Sequence, residues 1–338
     1  MSTFSQTLIK QRQNHLENEI KIDNRPHQFV TKKVFRPEKC CVCATNLKFC
    51  SSGYNCRDCR AICHMTCKER VPLPCIPYVS RANIGKQGRL ILISDFVQSN
   101  CKPCVPALIV HCIAEIEKRG LKEVGLYRCS ASENDVRVWK EKILSKKGVP
   151  SEIQDVHVLC NVVKKFLNQL DEALISRIAW RDFVEAVNPK DPKDLKERKE
   201  RVMDAIDNLP NANRDTLAYI ILHLLRVIEN RETNLMSVEA ISRVFGPTIL
   251  GYSMKDPPAM QMFEEHKKQQ QVVEYLLGLD EEFWRSILDQ KSNPPKSAIH
   301  PSTVSLGSRL CGGKVNSGTM TPLKNLRSDK NYNFKPLF

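Results

Sequence analysis

The sequence lacks any long uninterrupted run of apolar residues, although 41% of its 338 residues are hydrophobic. Its most apolar stretch, residues 217–228, contains His223 and Arg226. A membrane-spanning helix needs about 18–20 consecutive apolar residues, so this stretch predicts a core helix. Polar residues are spread over positions 1–20, which therefore lack the apolar segment of a secretory signal. The chain is therefore expected in the cytosol or nucleus.

The sequence also lacks the Gly-x4-Gly-Lys-Ser loop that binds nucleotide phosphates, so the chain is not expected to hold GTP by itself. Its formal charge of +14 favours an acidic partner, which is a nucleic acid, an anionic membrane surface or an acidic protein. Neither a Cys2His2 spacing nor an aromatic-basic ribonucleoprotein motif is present. Nucleic acid is therefore the least favoured of the three, and no nucleic-acid partner is expected.

The cysteines are the densest chemical signal in the sequence. Nine of the 15 fall between Cys40 and Cys75, and in a reducing compartment they are not expected to form disulfides. A Cys-x2-Cys pair on a tight turn can place two sulfurs about 2.3 Å from one zinc ion. Eight ligands would fill two tetrahedral sites and leave no open position, which predicts two structural Zn²⁺ ions. The eight candidate ligands are His27, Cys40, Cys43, Cys56, Cys59, His64, Cys67 and Cys75.

This spacing resembles the phorbol-ester and diacylglycerol-type finger of protein kinase C. Its first ligand is a distant upstream histidine and its last is a lone cysteine, whereas RING-type and PHD-type fingers close with a second Cys-x2-Cys. The three remaining cysteines of the segment, Cys41, Cys50 and Cys63, are expected to be packing residues. The resemblance implies two interleaved sites: His27, Cys56, Cys59 and Cys75 in site 1, and Cys40, Cys43, His64 and Cys67 in site 2.

The loop over residues 47–54 departs from the lipid-responsive members of that finger family. Ser52 stands where those members have the glutamine of a Gln-Gly pair, and the loop is one residue shorter. The finger is therefore expected to bind an anionic membrane or protein surface without requiring diacylglycerol. The basic residues proposed for this contact are Lys48, Arg57, Arg60, Lys68 and Arg70.

Four apolar stripes with the i, i+3, i+4, i+7 spacing of amphipathic helices follow, around residues 108–116, 158–170, 217–228 and 272–277. They predict an all-α domain. The fold class is thus a small zinc-stabilised, β-rich finger followed by a helical domain. The predicted organisation is a polar lead-in at 1–26, the finger at 27–76, a linker at 77–90, the helical domain at 91–289 and a disordered basic tail at 290–338.

Motifs in the helical segment resemble those of RhoGAP domains, in family order. Together with the finger and basic tail, they resemble the cytokinesis-type, or male germ cell, Rac GTPase-activating protein family. The resemblance implies an activator of Rho-family GTPases, Rac or Cdc42 in the GTP form, and not an enzyme that itself holds the nucleotide. It implies a cytoplasmic protein recruited to membrane or cytoskeleton. The motifs lie at residues 125–130, 162–167, 209–217 and 244–248.

Hydrolysis of GTP builds negative charge between the β- and γ-phosphates, and an arginine supplied in trans stabilises it, for a rate gain of about 10³–10⁵. The resemblance makes Arg128 this arginine finger. It makes Lys164 the lysine that steadies the finger loop and contacts the GTPase. The Phe245-Gly246-Pro247 segment is expected to be structural, forming a helix end with a tight turn.

Several positions depart from the RhoGAP pattern. Asn168 replaces an arginine and Ala240 an asparagine, both at positions that the resemblance assigns to GTPase binding. Ala173 replaces a proline, and Ala131 a glycine. Lost polar contacts of this kind weaken binding by about 1–3 kcal/mol each. The alternative function is therefore a catalytically weak scaffold that binds GTP-loaded Rho proteins at membrane or cytoskeleton.

Overall fold

The computed structural model gives the fold of most of the two predicted domains. Most of the lead-in and linker, and the whole tail over 290–338, lie outside the part of the chain that it describes. Among the described helices, none is both long and apolar enough to cross a membrane. The described residues are 22, 25–78, 90–98, 102–145, 153, 155–188 and 195–289.

The finger is built on a three-stranded antiparallel sheet in the order β1-β2-β3. Its strands are β1 (Phe29–Lys33), β2 (Ser52–Cys56) and β3 (Ile62–His64), followed by a 3-10 helix over Met65–Arg70. Metal-ligand cysteines form much of its buried centre, around a few apolar side chains such as Leu47. A segment this small cannot stabilise itself by apolar burial alone, so bound metal is needed.

The three other cysteines of the finger do not share one role. Cys63 is fully buried in the finger core, as expected of a packing residue. Cys41 and Cys50 are exposed, so the packing prediction was wrong for them. Cys41 lies in the turn between Cys40 and Cys43, whose side chains converge on one point, and this leaves its own side chain outside. Cys50 lies in a turn with a positive φ of 57°.

The second domain is helical, and all four predicted apolar stripes fall on helices. Each stripe is buried because its side chains recur on one face of the helix. The helices are α1 (Ala107–Arg119), α2 (Glu133–Ser145), α3 (Val156–Asn168), α4 (Arg177–Ala186), α5 (Leu195–Asp207), α6 (Asn211–Glu229), α7 (Arg231–Asn234), α8 (Val238–Ile249), α9 (Ala259–Leu277) and α10 (Glu281–Asp289).

Helix α6 is the centre of the domain. It packs against α8, α9 and α10, and most of its side chains are buried. Near its start, the buried Asp215 accepts a hydrogen bond from the backbone N–H of Cys104 at 2.8 Å. The same carboxylate lies 3.4 Å from the ammonium of Lys102. The charge of this buried carboxylate is thereby balanced, and the segment before α1 is tied to the core.

The end of α1 and the start of α3 meet closely. The N–H of Gly120 donates to the carbonyl of Ile116 at 2.7 Å and closes the last turn of α1. A Cβ on Gly120 would lie 2.5 Å from the side chain of Val156, so a larger residue would push the helices apart. Asp155 caps α3 by accepting from the N–H of His157 at 2.8 Å. This contact brings the loop that follows α1 alongside α3.

The Phe245-Gly246-Pro247 segment is not the helix end that the sequence predicted. It lies inside α8, which continues to Ile249, and a glycine with positive φ follows at Gly251. Proline is tolerated there because it removes only one hydrogen bond, close to the end of the helix. A Cβ on Gly246 would lie 3.1 Å from the Cβ of Gln269, so this glycine allows α8 and α9 to approach closely.

The finger packs directly on the helical domain. Ile76 belongs to the hydrophobic core of the helical domain and not to that of the finger. The guanidinium of Arg25 donates to the carbonyl of Lys102 at 2.6 Å, and the amide of Gln98 donates to the carbonyl of Tyr78 at 2.7 Å. Apolar burial and two hydrogen bonds therefore hold the two parts together.

Candidate functional site

Arg128 lies on a tight loop that connects α1 to α2. Gly125 and Tyr127 both adopt positive φ angles, of 74° and 63°. The carbonyl of Gly125 accepts hydrogen bonds from the N–H groups of Arg128 and Cys129, at 3.0 and 2.9 Å. This turn directs Arg128 outward, where its side chain is exposed. Within the described residues, its guanidinium forms no ion pair or hydrogen bond and is free to engage a partner.

Gly125 meets two demands of this loop at once. Its positive φ is strained for any residue with a Cβ. A Cβ there would also lie 2.6 Å from the Sγ of Cys129 and 3.6 Å from a guanidinium nitrogen of Arg128. A side chain at this position would therefore clash with the sulfur of Cys129, whereas its distance to the guanidinium is an ordinary van der Waals contact.

Three hydrogen bonds from distant parts of the chain hold the loop backbone. The N–H of Gly125 donates to the carbonyl of Asn234 at 2.8 Å, and the side-chain amide of Asn161 donates to the carbonyl of Cys129 at 2.9 Å. The ammonium of Lys164 donates to the carbonyl of Tyr127. Burial lowers the pKa of Lys164, as expected of an ammonium drawn out of water. The loop is therefore stiff on both sides of Arg128.

The side chain of Tyr127 anchors the loop in the core. It is fully buried, its hydroxyl lies 2.7 Å from Nε2 of His223, and its ring meets Phe245 edge-on at 4.8 Å. Burial raises the pKa of Tyr127 well above its usual value, so the hydroxyl keeps its proton. The residue before the arginine is thus fixed through both its backbone and its side chain.

The two other predicted GTPase contacts lie on helices that flank the loop. Asn168 is exposed at the end of α3, on the same helix as Lys164. Ala240 lies half-buried in the first turn of α8, where its N–H donates to the Ser237 hydroxyl at 3.3 Å. Helices α3 and α8 contact each other. The structure brings Lys164 directly to the Arg128 loop, places Asn168 one helical turn further along α3, and places Ala240 on α8.

The finger holds two ligand clusters whose members match both predicted sets. In each cluster the candidate ligand atoms all lie within 4.8 Å of one another. The Sγ atoms of Cys56 and Cys75 are 3.6 Å apart, and the Sγ of Cys59 is 3.3 Å from Nδ1 of His27. Tetrahedral zinc with bonds of about 2.1–2.3 Å separates its ligand atoms by about 3.4–3.8 Å. The side chains therefore fit two zinc ions, and such sites are structural.

Local backbone geometry explains why the paired cysteines converge. Ala44 and Arg60, each directly after a Cys-x2-Cys pair, adopt φ of 58° and 59°. Their N–H groups donate to the carbonyls of Cys40 and Cys56, both at 3.0 Å. Nε2 of His27 lies 3.0 Å from the carbonyl of Pro72. Donation to that carbonyl leaves Nδ1 unprotonated and available to a metal ion.

Two of the thiols have lowered pKa values. A hydrogen bond with Cys75 lowers the pKa of Cys59 to about 4. Burial would raise the pKa of Cys40, but hydrogen bonds from backbone N–H groups outweigh it and lower this pKa to about 6. Since the thiolate is the form that binds zinc, each site holds one thiol that ionises readily, whereas the pKa values of Cys67 and Cys75 are raised by burial and by neighbouring thiols.

Comparison with known proteins identifies both parts. Residues 106–253 match the RhoGAP domain family, and residues 27–77 match the phorbol esters/diacylglycerol binding domain (C1 domain) family. N-chimaerin from Rattus norvegicus is 30% identical over 256 residues, which cover 74% of this chain and 74% of that protein. The chain belongs to the RhoGAP family. The finger is accordingly its C1 domain, and the helices form its RhoGAP domain.

Two further proteins are similar to this chain. Rac GTPase-activating protein 1 from Mus musculus is 40% identical over 268 residues, which cover 78% of this chain. The chain spans only 41% of the length of that relative. The crystal structure of human Rho GTPase activating protein 15 superposes with a TM-score of 0.45 at 30% identity, covering 52% of this chain and 81% of that one.

Sequence reasoning missed several residues that support the RhoGAP loop. Asn161 lies three residues before Lys164, and this spacing on one helix face was the available signal. Asn234 offered no such signal because its carbonyl acts on a residue far away in the sequence. His223 interrupts an otherwise apolar helix face, which is more typical of a satisfied core histidine than of a functional one.

Proposed function

We propose that this chain accelerates GTP hydrolysis by a Rho-family GTPase, with Arg128 acting in trans as the arginine finger. The observation that carries the proposal is the geometry of the loop. An exposed arginine, which forms no ion pair or hydrogen bond with the described residues, follows a residue that is fixed through its side chain and its carbonyl. An ordinary surface arginine does not need such support.

The chemistry depends on charge and on stiffness. The guanidinium is planar and always protonated, so it can neutralise the charge that develops between the β- and γ-phosphates. Because the loop is already ordered, little conformational entropy is lost when Arg128 enters the GTPase site. The ammonium of Lys164 adds a positive charge beside the loop, although its proximity to the Tyr127 carbonyl makes it chiefly a support.

Rac and Cdc42, in the GTP-bound form, are the proposed substrates. The name of the Mus musculus relative, Rac GTPase-activating protein 1, supports Rac for this chain. In this scheme the GTPase holds the nucleotide and performs the hydrolysis. The chain itself acts as an activator.

The C1 domain is proposed to place the RhoGAP domain at an anionic surface of membrane or cytoskeleton in the cytoplasm. The five basic residues proposed for this contact are all exposed: Lys48, Arg57, Arg60, Lys68 and Arg70. Two phenylalanines, Phe35 and Phe49, are also exposed, at 66% and 73%. Sedimentation with phosphatidylserine vesicles, with and without diacylglycerol, tests this role. Binding only in the presence of diacylglycerol would contradict it.

Single-turnover GTP hydrolysis by Rac, Cdc42 and Rho tests the proposed activity. Each GTPase is loaded with GTP and mixed with the chain or with its Arg128→Ala variant. We expect strong acceleration by the chain and loss of about 10³-fold or more in the variant. Equal rates with the two proteins would contradict the arginine finger, and the three rates rank the substrates.

A scaffold that binds GTP-loaded Rho proteins without stimulating them is the second candidate. The neutral Asn168 and the methyl side chain of Ala240 favour it, because both replace polar residues at positions that the RhoGAP resemblance assigns to GTPase contact. Binding to a GTPase loaded with a non-hydrolysable GTP analogue, without any rise in hydrolysis, would support the scaffold. Acceleration that depends on Arg128 would exclude it.

A further inference from the structure

A series of hydrogen-bonded polar side chains, partly buried at Arg226 and Glu117 and fully buried at His223 and Tyr127, runs from the helices to the Arg128 loop. Arg226 of α6 donates to both carboxylate oxygens of Glu117 of α1, at 2.6 and 2.7 Å. Nδ1 of His223 lies 2.8 Å from the Glu117 carboxylate, and its Nε2 lies 2.7 Å from the Tyr127 hydroxyl. Tyr127 immediately precedes Arg128. Four side chains thus connect the helical core to the residue beside the arginine.

The direction of each hydrogen bond in this chain follows from its end groups. Burial alone would raise the pKa of Glu117, but hydrogen bonds from His223 and Arg226, together with the charge of Arg226, outweigh it and hold the pKa below its usual value. The ionised carboxylate can only accept, so Nδ1 of His223 carries a proton. In the neutral imidazole Nε2 is then the acceptor, and it takes the hydrogen of the Tyr127 hydroxyl.

The loop has a physical need for this anchor. Tyr127 is a bulky residue with a φ of 63°, a conformation that such residues rarely adopt. Strain of this kind persists only where the surroundings fix the residue from several sides. Lys164 holds the carbonyl of Tyr127, and His223 holds its hydroxyl. A rotation at Tyr127 would redirect Arg128, the next residue along the chain.

A purely structural role accounts poorly for the polar composition of this series of hydrogen-bonded side chains. His223 is only 1% exposed, and burying polar groups costs free energy that an apolar pair of similar volume would not incur. This series of hydrogen bonds leads to the Arg128 loop, which determines the direction of the proposed catalytic arginine. In another tyrosine–histidine pair the hydroxyl of Tyr252 also lies 2.7 Å from Nε2 of His266, but Tyr252 is half-buried, His266 is exposed, and neither residue belongs to that loop.

We propose that His223 is a positioning residue for GTP hydrolysis. Oriented by Glu117, it holds the Tyr127 hydroxyl and thereby fixes the direction in which Arg128 leaves the loop. The inference rests on the proposed function, in which Arg128 enters the GTPase site.

The test compares His223→Leu, which removes both hydrogen bonds, with His223→Gln, whose amide can accept from Tyr127 and donate to Glu117. Two quantities are measured. The first is the maximal single-turnover hydrolysis rate at a saturating concentration of this protein. The second is the Kd for a GTPase loaded with a non-hydrolysable GTP analogue. We expect His223→Leu to lower the maximal rate by about 10- to 100-fold, the usual cost of misplacing a catalytic group by about 1 Å. The Kd should stay within about twofold, and His223→Gln should recover most of the rate.

A double-mutant cycle separates positioning from general loss of structure. In the Arg128→Ala background, His223→Leu should cause no further loss of rate, because the group that it positions is gone. Tyr252→Phe is the matched control, since it breaks the same kind of bond elsewhere and should leave the rate unchanged. If His223→Leu does not fold, Tyr127→Phe removes only the hydroxyl and takes its place, with the same expected fall in rate.

The possible outcomes distinguish the two proposals. If Arg128→Ala leaves the hydrolysis rate unchanged, the proposed function fails. If Arg128→Ala abolishes stimulation but His223→Leu and Tyr127→Phe retain the full rate, only the positioning role fails. It also fails if His223→Leu lowers the rate equally with and without Arg128, or if His223→Gln is as impaired as His223→Leu.

Discussion

Arg128 depends on neighbours that hold its backbone and leave its guanidinium free. Gly125 provides the turn, and the carbonyls of Tyr127 and Cys129 are each held by a side chain of α3. Such a loop resembles the rigid supports on which catalytic side chains generally sit. At the scale of single residues, small changes next to Arg128 should therefore affect hydrolysis more than binding.

Gly125→Ala should impair the loop most directly. The new methyl group meets the Sγ of Cys129 at 2.6 Å and forces an alanine to a φ of 74°. We expect a loss of about 1–2 kcal/mol in the free energy of unfolding by urea, and at least about a tenfold fall in stimulated hydrolysis. Gly278→Ala is the control, because a Cβ there comes no closer than 3.4 Å to other atoms. Equal losses of stability and of stimulated hydrolysis in the two variants would contradict this account.

Lys164→Met should separate the supporting ammonium from the packing of its stem. Methionine keeps a long apolar side chain but cannot donate to the Tyr127 carbonyl, so the rate of stimulated hydrolysis should fall by about tenfold or more. Lys165→Met is the matched control, since the neighbouring ammonium pairs with Glu133 at 2.5 Å. Its rate should change by less than about threefold, as expected of a partly exposed ion pair. Comparable losses in both variants would show that charge alone matters.

The sequence predicted the residues whose side chains are proposed to act on the GTPase or to bind metal. Arg128 and the eight metal ligands belong to this class, because their motifs name them directly. Asn161, Asn234 and His223 could not be found in the same way. Each acts on a partner far away in the chain, and only the fold brings α3, α6 and α7 to the loop that follows α1.

At the scale of elements, the helices followed from apolar periodicity because each one buries a single face in a shared core. The main error was at Gly246 and Pro247, where local residue preferences suggested a helix end. Packing overrides that preference: α8 continues to Ile249 because Gly246 lets it approach α9 closely. Single-residue propensities carry no information about such a helix–helix contact.

Helices α3 and α8 together present the surface flanking the Arg128 loop, and this surface lacks two polar contacts of the RhoGAP pattern. Asn168→Arg with Ala240→Asn should restore them. We expect the Kd for the GTP-loaded GTPase to fall by about tenfold or more, because a restored polar contact contributes about 0.5–1.5 kcal/mol and one to a charged group about 1.5–3 kcal/mol. Isothermal titration with a non-hydrolysable analogue measures it.

Asn208→Arg is the control for this change, since it adds one positive charge at an exposed position after α5. It should leave the Kd nearly unchanged. The maximal hydrolysis rate should rise little in the double variant, because Arg128 and its loop are untouched. If the Asn208→Arg variant gained as much affinity, the gain would reflect net charge and not the flanking surface.

At the scale of the whole molecule, the C1 domain and the RhoGAP domain are stabilised in different ways. The first depends on metal, and the second on a large apolar core centred on α6. Their contact through Arg25, Ile76 and Gln98 could not be predicted, because isolated residues of these types occur on most protein surfaces. The packing of the two parts on each other is therefore a finding of the structure alone.

Loss of zinc should unfold the finger without abolishing GTPase stimulation in solution. Cys40→Ser removes a thiolate ligand of site 2, so the chain should lose at least one of its two zinc ions, measured with a colorimetric chelator. The hydrolysis rate should stay within about threefold, because no residue of the finger contacts the described Arg128 loop. Cys41→Ser is the matched control: it changes an exposed cysteine next in sequence and should retain both ions. Zinc loss from both variants would contradict the assigned ligands.

Formation of a complex with a transition-state analogue tests the central claim most directly. Aluminium fluoride with GDP mimics the phosphoryl group in transfer, and a GTPase–activator complex formed with it depends on the charge that the activator supplies. The measurement is co-elution of the chain with GDP-loaded Rac in the presence and absence of aluminium fluoride. We predict a stable complex only with aluminium fluoride, and its loss in Arg128→Ala. A complex that forms equally well with Arg128→Ala would contradict the arginine finger.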